Sequence, residues 1–238
     1  RDLHLSLRRQ RQMCIRDRSN TMLYFKKANK YFPIIEPILK QYNIPDDFKY
    51  LAVIESGLDN VVSPSGAAGF WQIMKGTARE YGLEVNKDID ERYNLEKSTV
   101  VACKYLQDSY KKFGNWTMAA ASYNMGKSGV KRRMLEQKSN NYYNLYLNSE
   151  TARYVFRVIA AKEIMQNPKN YGFMFRNKDL YSMPNLQTVE VDSTISSLSD
   201  FARSYNINFK LLKQFNPWLR TTKLPDKSRK KYILKIPI

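Results

Sequence analysis

From residue 21 to about 175 the apolar residues recur at helical spacing and almost nowhere alternate as a strand would. That pattern commits the larger part of the chain to an α-helical core. Leu23, Phe32, Ile35, Ile38 and Leu39 mark a first helix over 21–42, and Pro33 and Pro37 predict a restart or kink near Pro33. Pro45 followed by Asp46 and Asp47 predicts a helix start, because proline suits the first turn and acids suit the positive end of the helix dipole. This helix takes in the apolar run Tyr50-Leu51-Ala52-Val53-Ile54 and ends at Glu55, with Gly57 as terminator. Residues 57–69 read as loop and 70–81 as a helix ending at Gly82. An amphipathic helix follows over 98–113, capped by Ser98 or Thr99, and another from 117 to about 124. After a polar loop rich in Tyr and Asn, Ser149 is expected to cap a helix running to Gln166, ended by Pro168.

Composition changes after Pro184. Residues 186–191 alternate like a strand, 195–205 and 208–215 carry helical spacing, and 232–236 are β-rich, which predicts a small β-α-α-β module. The expected organisation is a leader over 1–20, disordered or foreign in origin, a helical domain over 21–180 and the small module over 186–238. The fold class is therefore mainly α with a small α+β appendage. With 43% hydrophobic residues the chain can bury a substantial core, so wholesale disorder is excluded.

The net charge of +18 points to an anionic partner: nucleic acid, an anionic membrane, or the acidic polymers of a cell wall. No zinc-finger spacing or RNA-binding motif supports the first, and nucleic acid is not expected as a partner. Cys14 and Cys103 are too few for a disulfide scaffold, and Cys103 falls on an apolar stripe with Leu106, Tyr110 and Phe113, as a packed thiol would. The single histidine, His4, argues against a histidine-dependent nucleophile and against a histidine-rich metal site. No apolar run approaches the roughly 18 residues of a membrane span. The Arg-rich leader lacks the apolar centre of a signal peptide, so an export signal is expected to have preceded residue 1.

Glu55 is the residue with the most chemistry in prospect. Breaking a glycosidic bond requires a proton for the departing oxygen, hence a carboxyl still protonated near neutral pH. Burial after five apolar residues and the negative end of a helix dipole both push a carboxyl that way. A solvated glutamate ending a surface helix fits the same letters. A second carboxylate, usual in glycosidases, has five candidates: Asp59, Asp88, Asp90, Glu91 and Glu150. Trp71, Tyr123 and Tyr154 offer aromatic faces to sugars or fill a core; Gln72 and Asn124 offer amides to a ligand or cap helices.

Taken in order, Glu55-Ser56, then Ser63-Pro64-Ser65-Gly66-Ala67-Ala68-Gly69-Phe70-Trp71-Gln72-Ile73-Met74, then Ala121-Ser122-Tyr123-Asn124-Met125-Gly126, then Glu150-Thr151 with Tyr154-Val155 resemble the family 1 lytic transglycosylases. Tyr81-Gly82-Leu83, Asp90-Glu91-Arg92 and Ser98-Thr99 look like its membrane-bound murein branch. The resemblance implies a lysozyme-like α-helical domain that cleaves the β-1,4 bond between N-acetylmuramic acid and N-acetylglucosamine, leaving a 1,6-anhydro end. It implies Glu55 as acid and then base, with no metal and no organic cofactor, and with Ser63, Gln72, Tyr123 and Asn124 holding the sugar's polar groups. Met74 would line the cleft, Glu150 support the site, and Tyr154 steady Glu55 or the substrate. Phe70-Trp71 stands where some relatives carry Leu-Met.

The last module resembles a LysM repeat through Leu211-Leu212 before Asn216-Pro217, Leu224-Pro225 and Ile236-Pro237, with Val191-Asp192-Ser193-Thr194 replacing the usual Gly-Asp turn. It carries 10 basic against 4 acidic residues. The implied partners are peptidoglycan glycan strands and other anionic wall polymers, met by a monomer in the bacterial envelope, periplasmic or membrane-anchored. A hydrolytic muramidase and a non-catalytic wall-binding scaffold are the alternatives.

Overall fold

The structure is a computed structural model that describes the backbone of residues 2–225 and 230–238, with side chains from Arg18 onward. Helix α1 (Asp2–Gln41) runs without a break through both prolines. Pro33 and Pro37 are exposed while Ile35 and Leu39 are fully buried between them. The carbonyls that the prolines leave unbonded therefore face water, and burial of the opposite side holds the helix together. The backbone over residues 2–20 is helical and continuous with α1. The side chains of the expected leader up to residue 17, His4 and Cys14 among them, lie outside the described residues.

A 3-10 turn at Asp46–Phe48 leads into α2 (Lys49–Ser56), which buries Tyr50, Leu51, Ala52 and Val53. Gly57 ends α2 at φ +64°, and its N–H bonds the Val53 carbonyl at 2.8 Å. A Cβ there would sit 2.6 Å from the Tyr24 ring, so glycine is required twice over, by conformation and by space.

The helix expected over 70–81 is only α3 (Lys75–Glu80). Residues 66–73 instead form a tight loop, with Gly69 at φ +81° and Gln72 at φ +46°, closed by the bridges Val62–Ala68 and Ala68–Ile73. Helix α4 (Leu95–Phe113) starts earlier than expected because Asn94 caps it, accepting from the Lys97 N–H at 3.0 Å. Ser98 and Thr99 lie inside the helix and are buried.

Helix α5 (Trp116–Met125), capped by Asn115, is apolar on all sides and lies centrally against α4, α6 and α7. Its run of alanines at 119–121 lets those helices close on it. Helix α6 (Lys127–Gln137) occupies a segment expected as loop, and it buries only Val130. Helix α7 (Ser149–Gln166) is capped by Asn148 rather than Ser149.

The C-terminal module is β1 (Leu186–Val191), α8 (Leu198–Ser204), α9 (Phe209–Phe215) and β2 (Tyr232–Pro237), with the two strands antiparallel from Leu186 opposite Pro237 to Val191 opposite Tyr232. Its core of Leu198, Leu212, Leu219, Leu234 and Ile236 is continuous with Ala68, Ile89 and Tyr93 of the larger domain. The protein is thus mainly α, with its strands confined to one small sheet among the described residues. Among those residues no helix is long and apolar enough to cross a membrane.

Candidate active site

Glu55 lies in the last turn of α2, half-buried, and its Oε1 accepts a hydrogen bond from the Tyr154 hydroxyl at 2.5 Å. Tyr154 is on α7 and only 1% exposed, so the bond ties the two packed helices together at the site. Burial pushes the Glu55 carboxyl above its ordinary pKa. The Tyr154 hydrogen bond and the Arg157 charge pull the other way, and the Glu150 charge adds to the rise. The net direction is upward. Burial, then the charge of Glu55, drives the Tyr154 hydroxyl well above its own usual range, so it remains a donor.

Arg157 had no place in the sequence reading. Its Nη2 donates to the Ile54 carbonyl at 3.2 Å, at the negative end of α2. Thr151 stood in the motif without a role: it is fully buried, and its hydroxyl donates to Asn124 Oδ1 at 2.7 Å. This fixes the Asn124 amide, whose Nδ2 then donates to Glu150 Oε1 at 3.1 Å. The signal was present, since Glu150, Thr151, Tyr154 and Arg157 recur at helical three- and four-residue steps on one side of α7. Of the five candidate second carboxylates, Glu150 is the one whose charge reaches Glu55. Asp59 pairs with Lys27, Asp90 with Arg92, and Glu91 with Lys97, while Asp88 takes the Thr221 hydroxyl.

The remaining residues fall into two groups that share Gln72. Gln72, Met74, Tyr123 and Asn124, with Tyr105 and Met125, line a cavity of about 290 Å³. Met74 stands 46% exposed at its rim. Glu55 does not line this cavity, but its charge reaches Tyr123, whose hydroxyl is pushed up by burial and then by that charge. Tyr123 donates to the Trp71 carbonyl at 2.8 Å and packs edge-on against Tyr105.

The other group serves the loop. The Gln72 amide donates to Val61 O at 3.0 Å and Gly69 O at 2.8 Å, so its donors hold the loop closed rather than waiting for a sugar. Ser63 Oγ accepts from the Ala67 N–H at 3.0 Å and pairs with Ser65 Oγ, a local turn contact. Trp71 is fully buried, its indole donating to Thr99 Oγ1 at 2.8 Å, and is a core residue with no face for a ligand. Among the described residues, no three His, Cys, Asp or Glu side chains gather as a metal site would require.

The larger, helical domain holds a tyrosine-bound carboxyl between α2 and α7 and is joined to a β-α-α-β module, and each of the two regions matches a known family model. Residues 32–146 match the family model described as transglycosylase SLT domain, and residues 187–238 match the one described as soluble lytic transglycosylase C-terminal LysM-like domain. The chain thus carries a region that matches the transglycosylase SLT domain, followed by one that matches the LysM-like C-terminal domain.

It is 30% identical over 224 residues to membrane-bound lytic murein transglycosylase D of Escherichia coli (strain K12), covering 92% of this chain and 49% of that protein. It is 26% identical over 156 residues to a putative tributyltin chloride resistance protein of Alteromonas sp. (strain M-1), covering 63% of this chain and 75% of that one. Among solved structures, the 70 kDa soluble lytic transglycosylase of Escherichia coli aligns with a TM-score of 0.49 at 24% identity, over 58% of this chain and 24% of that chain. The chain thus spans about half the length of the murein transglycosylase D that it matches.

Proposed function

We propose that the protein is a peptidoglycan lytic transglycosylase in which Glu55 acts alone as acid and then base. The observation that carries this reading is the contact between Glu55 and Tyr154. It keeps a carboxyl of raised pKa in a defined rotamer and occupies Oε1, leaving Oε2 to carry the proton.

In the first half of the reaction Glu55 protonates the oxygen between N-acetylmuramic acid and N-acetylglucosamine, and the bond from C1 to that oxygen breaks. In the second half the muramyl C6 hydroxyl attacks C1, and its proton passes to the Glu55 carboxylate. A 1,6-anhydro ring forms, no water is consumed, and Glu55 is ready for another turn. Tyr154 stabilises the carboxylate between the two halves. Asn124, oriented by Thr151, presents its amide beside the cleft, with Met74 and the Tyr105 ring forming the wall for the sugar. Ser63 and Gln72 act by shaping the loop.

The working organisation is a catalytic domain over 21–180 and a wall-facing module over 186–238, both basic, acting as a monomer in the bacterial envelope on glycan strands and other anionic wall polymers. A second reading, a hydrolytic muramidase, draws on Glu150, which could activate a water near Glu55.

Digests of purified peptidoglycan separate the two. The leading reading expects 1,6-anhydromuramyl ends, whereas reducing ends alone would replace it with the hydrolytic one. Glu55→Gln is expected to abolish product while the thermal transition persists, because the amide oxygen still accepts from Tyr154.

A further inference from the structure

The C-terminal module is seated on the same short segment that fastens the cleft loop. Its residues 218–220 run alongside 88–90 like a strand: Asp90 N–H donates to Trp218 O at 2.9 Å, Arg220 N–H to Asp88 O at 2.7 Å, and Ile89 bridges Leu219. The Arg220 guanidinium lies 4.3 Å over the Tyr93 ring. Three residues beyond the bridge, Arg92 is buried and forked onto Asp90, with Nε to Oδ1 at 2.9 Å and Nη2 to Oδ2 at 2.7 Å.

The remaining arm of that guanidinium reaches the loop. Arg92 Nη1 donates to Gly66 O at 2.8 Å and to Ile73 O at 3.1 Å, the two ends of the 66–73 turn. The Arg92 carbonyl occupies the space where a Cβ on Gly69 would stand. Ala68, fully buried at the centre of the turn, packs in the hydrophobic core of the C-terminal module itself. The turn carries Gln72, which lines the cavity, and the Trp71 carbonyl that holds the Tyr123 hydroxyl.

We infer that Asp90 and Arg92 are positioning residues through which the docked C-terminal module braces the cleft, so that the module contributes to turnover as well as to wall contact. On the catalytic reading proposed above, a module that served only to hold the wall would have no effect on cleavage of a substrate too short to span both units. A brace affects it, because a displacement of about 1 Å in a cleft wall is enough to lower rates by roughly a hundredfold.

The test uses the full chain and three variants. Arg92→Lys replaces the fork with a point charge that cannot hold Asp90 and both loop carbonyls together. Leu219→Ala loosens the docking from the module's side, and Arg220→Ala removes the contact on Tyr93 without altering either core. Arg203→Ala, at an exposed pair on the module's outer surface, is the control.

Hydrogen exchange at the Ala68, Gly69 and Ile73 amides is expected to quicken by about tenfold or more in the three variants, with the α5 amides unchanged. On a short soluble peptidoglycan fragment, kcat/KM is expected to fall by about ten- to a hundredfold, with the control unaffected. The Arg92→Lys, Arg220→Ala double variant should be little slower than Arg92→Lys alone, since both act through one connection.

Unchanged loop exchange in the docking variants overturns the inference, as does a loss of turnover confined to intact wall. If Leu219→Ala unfolds the chain, the α5 amides exchange as well, and Arg220→Ala then decides. A wild-type protein that releases no anhydro product would defeat the proposed function, whereas the exchange data judge the brace independently.

Discussion

Tyr154→Phe removes a single oxygen from the centre of the site. The ring is 1% exposed and its packing is kept, so the change falls almost wholly on the 2.5 Å hydrogen bond to Glu55 Oε1. A hydrogen bond to a charged partner contributes about 1.5–3 kcal/mol, and a half-buried carboxylate has little water to replace it. For a protein of this size that corresponds to a fall in Tm of roughly 3–12 °C. The pH dependence follows from the direction of the Glu55 shift.

Its folded pKa lies above the ordinary 4.5, so between that value and the raised one the folded chain holds more protons than the unfolded chain. Stability contributed by this group therefore falls as pH rises across that window. The Tyr154 hydroxyl favours the ionised carboxyl, so its removal raises the folded pKa further. The variant should be most destabilised at pH 8 and approach the wild type near pH 4, where Glu55 is protonated in both. The alkaline limb of the activity profile should move to higher pH in parallel. Thermal unfolding from pH 4 to 8 measures the first effect and initial rates the second. Equal destabilisation at both ends of the range would refute the reasoning, because only lost packing is insensitive to the charge on Glu55.

Glu55→Gln removes the disfavoured charge, and urea unfolding should find it more stable than the wild type at pH 8 but not below pH 4.5. A less stable variant at pH 8 would contradict the direction of the shift. Gly69→Ala combines positive φ with an overlap on the Arg92 carbonyl and is expected to lose at least about 2 kcal/mol, whereas Gly66→Ala, with open space around it, should lose only about 1 kcal/mol. Comparable losses at the two positions would mean that the Arg92 contact contributes nothing. The Cys103 thiol, pushed up to about 12 by burial, should resist alkylation at pH 8 until the protein unfolds, as followed by mass mapping of its peptide. Labelling of the folded protein at this position would contradict the packing.

Glu55, Gly57 and the run before them were readable because local signals agree: proline and acids at the start, an apolar stretch, glycine in a left-handed conformation at the end. The 66–73 turn was not, since its shape depends on Arg92 reaching from elsewhere in the chain and on Gln72 adopting positive φ, which no neighbouring letter signals. The helix restart expected near Pro33 does not occur, because propensity alone ignores which side of α1 is buried. Helix α6 escaped notice because it buries a single valine and so lacks an apolar stripe. At the site, Tyr154 and Asn124 were recoverable from order and spacing. The demotion of Trp71 to the core and of Gln72 to a loop fastener needed three-dimensional neighbours.

The bond between Glu55 and Tyr154 joins residues 99 positions apart. During synthesis at about 5–20 residues per second, roughly 5–20 s separate the addition of Glu55 from that of its partner tyrosine. Throughout that interval the Tyr154 hydroxyl is not yet there to donate to Glu55. On the function proposed above, the catalytic acid is therefore completed only when α7 is made, so a chain cut short before residue 154 would hold Glu55 without its donor.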